Sequence, residues 1–137
     1  MTLRFFFYGT LRDPDVRRAV IGAGVDRLVL APAVLPGWRC VFLRGRAYPI
    51  LHPDSVAETE GILAAGVDPR QAARLDRFET DEYRRAPARV RAADGRMFEA
   101  QVYFAARPGL ASTTSWEFEA WRRRWKKALL AGSFGRR

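Results

Sequence analysis

Four consecutive aromatic residues, Phe5-Phe6-Phe7-Tyr8, run directly into Gly9-Thr10-Leu11-Arg12, and Asp13-Pro14 follows. A chain that folds in water must bury such a run, which reads as a core strand stopping abruptly at the glycine and turning into a helix. Gly9 permits a backbone conformation, or a close approach to a ligand, that a side chain would block. Asp13 suits the N-cap and Pro14 the first helical position, so free backbone N–H groups are expected to cluster just after the glycine. Such a cluster cradles an anion, a carboxylate or a phosphate.

The rest of the composition bounds what that cradle belongs to. At 137 residues, 48% hydrophobic and 12% aromatic, the chain is expected to form one globular domain over residues 1–137. No apolar run approaches the roughly 20 residues of a membrane span, and no basic, apolar and small-residue leader pattern opens the chain. The single Cys40 leaves no internal disulfide, which together with the missing leader makes the cytoplasm the expected location. A net charge of +9, carried almost entirely by arginine, would attract nucleic acid, anionic lipid or acidic metabolites. The arginines are scattered, so a well-solvated basic surface accounts for them equally.

Along the chain, a first strand over residues 3–8 leads into a helix from Asp13, with Val16, Val20 and Ile21 on one face and Gly22 and Gly24 ending it. Arg27–Leu35 and Trp38–Leu43 read as two apolar segments separated by a Pro36-Gly37 turn. Gly45–Pro53 reads as loop or edge strand because Pro49 and Pro53 cannot donate to a ladder. Thr59–Val67 is a strand, and Asp68-Pro69 opens a second helix through Ala72, Leu75 and Phe78. Tyr83–Ala92 and Arg96–Ala105 form a hairpin at Asp94-Gly95. A separate amphipathic helix over about 115–131 begins with capping-box spacing at Thr114 and Glu117. Phe118, Trp121, Trp125 and Leu129 mark one face of it, surrounded by Arg122, Arg123, Arg124, Lys126 and Lys127. The expected class is α+β, a compact, barrel-like sheet with helices against it.

Chemistry has few candidates. His52 is the only histidine and Cys40 lies twelve residues before it, with no carboxylate in metal-ligand spacing, so no metal is expected. A Cys40–His52 nucleophile–base pair competes with a strand cysteine and a loop histidine that merely pack. The turn at Gly9 lacks the further glycines and the lysine of a nucleotide loop. If the helix from Asp68 continues past Phe78, Leu75, Phe78 and Glu79 share a face. A carboxylate following the apolar stripe is desolvated, its pKa rises, and it becomes a general acid/base for neutral pH. An ion pair of Glu79 with Arg77, Arg84 or Arg85 is the structural alternative.

Tyr8-Gly9-Thr10-Leu11, followed by Leu75-Asp76-x-Phe78-Glu79 and Tyr83-Arg84-Arg85, resembles the γ-glutamylcyclotransferase-like (AIG2-like) family. Leu35-Pro36-Gly37-Trp38, Tyr48-Pro49, Glu60-Gly61-Ile62-Leu63 and Val102-Tyr103 match as well, and the resemblance covers about residues 3–105. It implies a small barrel flanked by helices with a cavity at one end. It further implies that the backbone amides of Tyr8, Gly9, Thr10 and Leu11 hold the α-carboxylate of a γ-glutamyl group. Glu79 then matches the family's acid/base, and Tyr83 an aromatic residue near the pocket. The implied reaction releases 5-oxoproline and an amine, amino acid or peptide from a small γ-glutamyl substrate, without a cofactor.

One position departs from the family pattern: Thr80 stands where a glycine usually follows the glutamate. If that position needs φ > 0, a β-branched residue is costly and can displace Glu79. The competing expectation is therefore a non-catalytic module of the same fold that binds a small anion or a partner. In that reading the basic C-terminal helix contacts nucleic acid or membrane. The sequence does not specify the released amine or the oligomeric state.

Overall fold

The computed structural model describes residues 1–132. Among the described residues six strands follow in chain order: β1 (Leu3–Phe7), β2 (Val29–Leu43), β3 (Pro49–Val67), β4 (Tyr83–Ala92), β5 (Met97–Ala105) and β6 (Ala111–Ser115). They are joined by α1 (Pro14–Ile21) and α2 (Pro69–Glu79) and followed by α3 (Phe118–Arg124) and α4 (Lys126–Ala131). Neighbours run β3-β1-β5-β4-β2, and β2 pairs again with β3, so five strands close into a barrel with β6 added to β2. β1 and β5 are parallel and the other pairs antiparallel, a mixed barrel flanked by helices, as the α+β reading expects.

β1 divides the interior in two. Phe6 and Tyr8 join a cluster built from strand residues alone, including Leu35, Leu51, Val90 and Val102. Phe5 and Phe7 point the opposite way, into a second cluster with Val16 and Ile21 of α1, Leu75 and Phe78 of α2, and Trp121 of α3. All four aromatics are at most 5% exposed. Each buried ring contributes about 1.5–3 kcal/mol relative to exposure, so this strand is fixed in position from both sides.

Both helix starts follow from local sequence. Asp13 caps α1, accepting from the Asp15 and Val16 amides at 2.9 and 3.2 Å. Asp68 and Gln71 form a reciprocal capping box at the start of α2. The Asp94-Gly95 hairpin also forms, with Gly95 at φ 89°.

Pro36-Gly37 does not reverse the chain. β2 is continuous, and the pair sits at a register shift against β3, where Gly37 takes φ 87° as a bulge. Of the loop and edge-strand alternatives for Gly45–Pro53, Pro49 and Pro53 take the strand, pairing with Phe42 and Trp38 inside β3, and 54–57 are the residues left over at the β2 irregularity. The C-terminal helix begins later than its sequence suggests. Thr114 is held in β6, where Val41 pairs with Ser115, and Glu117 makes no side-chain cap. The helical stretch is then split at Trp125 (φ −122°), whose ring meets Phe42 edge-on at 6.2 Å.

Gly61 lies where β3 crosses β1, and a Cβ there would collide with the Phe7 carbonyl and the Phe6 ring. Gly61→Ala is expected to destabilise the protein by about 2 kcal/mol or more, read as a lower urea midpoint at unchanged m.

Candidate active site

The loop leaving β1 is shaped by three separate constraints. Thr10–Arg12 form a single 3₁₀ turn, closed by the amides of Arg12 and Asp13 on the carbonyls of Gly9 and Thr10 at 3.0 and 3.1 Å. The buried Arg17 donates from Nη1 to the carbonyls of Leu11 (2.9 Å) and Arg12 (2.7 Å), holding both toward α1. Gly9 has a negative φ of −112°, so its role is spatial: a Cβ would stand 3.0 Å from Cγ of Pro49.

The anion cradle is narrower than the helix-start signal implies. Asp13 already occupies the amides of the first turn of α1, and the Arg12 and Asp13 amides close the 3₁₀ turn. The stretch facing the cavity is therefore Tyr8–Leu11 itself. Asp13 is fully buried, and its second oxygen pairs with Lys126 Nζ at 2.9 Å and Arg122 Nε at 3.3 Å. Lys126 also pairs with Asp15 at 2.8 Å. Two cations of the basic C-terminal face thus fasten the base of this loop, while Trp121 is buried beneath it.

Glu79 is the last residue of α2 and is 7% exposed. It lines one small cavity with Tyr8, Gly9, Thr10, Leu11, Tyr83, Pro49 and Tyr103. The six residues singled out from sequence are thereby brought together, and Pro49 and Tyr103 are added. Arg85 is engaged elsewhere, on Asp76 at 2.9 Å and Gln101 at 2.9 Å, and Arg84 lies over the Phe104 ring. The space enclosed is about 20 Å³, room for roughly one water.

Tyrosines frame this cavity. Tyr8 donates to the Tyr103 carbonyl at 2.6 Å, Tyr83 donates to the Pro49 carbonyl, and Tyr103 donates to Asp76 Oδ1 at 2.6 Å. Burial, the Asp76 hydrogen bond and the charge of Glu79 all push the Tyr103 hydroxyl well above its ordinary range, so it stays a proton donor. Pro49 and Tyr103 carried a signal in sequence, since Tyr48-Pro49 and Val102-Tyr103 stand among the family-like pairs.

Thr80 is the one non-glycine residue at positive φ among those described, at φ 65°, ψ −170°. That region is almost exclusive to glycine, so the family glycine has a conformational reason and the threonine carries strain of about 1–3 kcal/mol. Glu79 nonetheless remains on the cavity wall, and the strain is borne one residue later. Cys40 and His52 do not meet as a dyad: Cys40 registers with Leu51, and the exposed His52 with Arg39. Burial pushes the Cys40 thiol up to about 12.

Residues 5–123 match the family model described as gamma-glutamyl cyclotransferase, AIG2-like. The chain belongs to that family. It is 32% identical over 130 residues to AIG2-like protein A of Arabidopsis thaliana, covering 91% of this chain and 75% of that one. The solution structure of an Arabidopsis thaliana protein at 30% identity superposes with a TM-score of 0.69, covering 95% of this chain and 87% of the other. A structure titled gamma-glutamyl cyclotransferase shares the fold at TM-score 0.65 and 13% identity, over 77% of this chain and 67% of its own.

Thr80→Gly should relieve the strained backbone and stabilise the protein by about 1 kcal/mol, after the entropy glycine adds to the unfolded chain, measured by urea unfolding. Asp13→Ala should cost about 2 kcal/mol, because it removes a helix cap together with the ion pairs to Lys126 and Arg122; the same experiment reads it.

Proposed function

We propose that this chain is a cofactor-independent γ-glutamylcyclotransferase-type enzyme with Glu79 as its general acid/base. The single observation that carries the reading is that Glu79 and the Tyr8–Leu11 loop wall the same cavity. Membership of the family supports the reaction class, and the buried, tyrosine-framed carboxylate supports the role.

In this reading the loop amides hold the substrate's α-carboxylate, and electrostatic complementarity fixes the γ-glutamyl group. Glu79 removes a proton from the α-ammonium. The freed amine attacks the γ-carbonyl of the same molecule and closes a five-membered ring. The amide C–N bond breaks as Glu79 returns its proton to the departing nitrogen, the second proton of the ring nitrogen passes to the released amine, and 5-oxoproline and an ammonium leave. Both reacting groups belong to one molecule, so proximity comes with the substrate and no metal or organic cofactor is required. Tyr83 supplies an aromatic wall beside the ring.

Purified protein incubated with γ-glutamyl amino acids and γ-glutamyl amines is expected to release 5-oxoproline, detected by mass spectrometry. Glu79→Gln is expected to lower that rate by about 10²–10⁴-fold with its circular dichroism unchanged. Undiminished turnover in Glu79→Gln would refute the mechanism. Carboxylate binding without any 5-oxoproline would favour the non-catalytic reading, which the narrow cavity also suits.

A further inference from the structure

On the other side of Tyr8 lies a groove of about 520 Å³, within the range of small-molecule sites and far larger than the cavity at Glu79. Tyr8 lines both spaces, and Arg12, the residue after the loop, reaches into the groove together with Arg39. The Nε atoms of both arginines are buried and have no hydrogen-bond partner among the described residues. The Arg39 side chain is 36% exposed and Arg12 is half-buried, so the remaining N–H groups of the two guanidinium forks are the donors the groove presents.

The surroundings fix what these donors fit. The Arg12 guanidinium lies 4.6 Å over the Phe118 ring, which holds its plane in place. Arg39 Nε is 3.6 Å from Asp54 Oδ2, an ion pair beyond hydrogen-bond reach. Two of the groove's carboxylates are engaged elsewhere, Glu58 by Arg91 at 2.7 Å and Glu119 by Arg122 at 3.3 Å. Cys40, also on the groove wall, stays a neutral thiol and offers no counter-charge. Glu60, Glu117 and a third cation, Arg123, line it too, a mixture of both signs that suits an acid that also carries an ammonium.

We propose that this groove is a second ligand site, taking the carboxylate of an amino acid or short peptide on the guanidinium groups of Arg12 and Arg39. A carboxylate accepts from such planar forks in a way that water or an alcohol cannot. The carboxylate has two possible sources: the leaving half of a γ-glutamyl substrate, or a separate amino acid. The first source rests on the cyclotransferase reading; the binding itself does not.

The test uses the full ¹⁵N-labelled chain carrying Glu79→Gln, so that no turnover intervenes, and follows the arginine Nε–H signals by NMR. Arg12→Lys and Arg39→Lys assign the two signals. Alanine and γ-glutamyl-alanine are titrated beside ethylamine and γ-glutamyl-ethylamine, which differ only in lacking the carboxylate. The expected result is a saturable shift of both signals with the carboxylate compounds alone. No saturable shift of either signal with any carboxylate overturns the site. So does an equal response to the amines.

Turnover by otherwise wild-type protein separates the sources. With the leaving half as source, kcat/KM favours γ-glutamyl-alanine over γ-glutamyl-ethylamine by about tenfold, and Arg12→Gln collapses that ratio toward one. With a separate amino acid as source, the NMR shifts persist and the ratio is near one from the start. NMR shifts without 5-oxoproline from either compound support this site while refuting the cyclotransferase reading.

Discussion

The structure depends on one aromatic run having no solvent-facing side. Side chains of Phe5, Phe6, Phe7 and Tyr8 alternate between a cluster of strand residues and a cluster shared with the helices, and every one is buried. An antiparallel neighbour on one side and a parallel one on the other take the backbone hydrogen bonds. A shift of one residue would exchange both sets of rings between cores of different shape, so register is fixed. The Tyr8–Leu11 loop inherits its position from that register, because it begins where the aromatic run ends.

The loop is then held from outside by charge. Arg17 takes the carbonyl of its last residue, Leu11, and that of the following Arg12, and Asp13 takes Lys126 and Arg122 from the C-terminal helices. This gives the basic, tryptophan-rich tail a structural role alongside whatever its remaining cations contact. Trp121 and Trp125 pack inward, and Lys126 and Arg122 neutralise a buried aspartate rather than standing free. Glu79 reaches the same place by an independent route, as the final residue of a helix whose apolar stripe is pinned by Leu75 and Phe78. Strain at Thr80 is the local cost of ending that helix with the carboxylate on the cavity wall.

Much of this was legible in sequence where the determinant is local. The aromatic run, the Asp-Pro helix starts, the Asp94-Gly95 hairpin and the Leu75–Phe78–Glu79 face each rest on neighbouring residues, and each stands as read. Pro36-Gly37 misled because glycine at positive φ serves a turn and a bulge alike; the choice was made by the distant partners Pro53 and Glu58. The Thr114–Glu117 spacing lost to β6 pairing with β2, another long-range contact. At the site, Pro49 and Tyr103 come from β3 and β5, and only closure of the barrel brings them to Glu79. The Arg12–Arg39 groove forms where the start of α3 lies against β2, β3 and the 3₁₀ turn, and no spacing in the chain offers a sign of it.

The central claim is that the Tyr8–Leu11 loop and Glu79 are two halves of one γ-glutamyl site. A crystal structure of the Glu79→Gln protein with γ-glutamyl-alanine tests it most directly. The account predicts the glutamyl α-carboxylate within hydrogen-bond distance of the loop amides and the α-nitrogen beside residue 79. A glutamyl group seated elsewhere, or a carboxylate held away from the loop with residue 79 remote from the α-nitrogen, would contradict it.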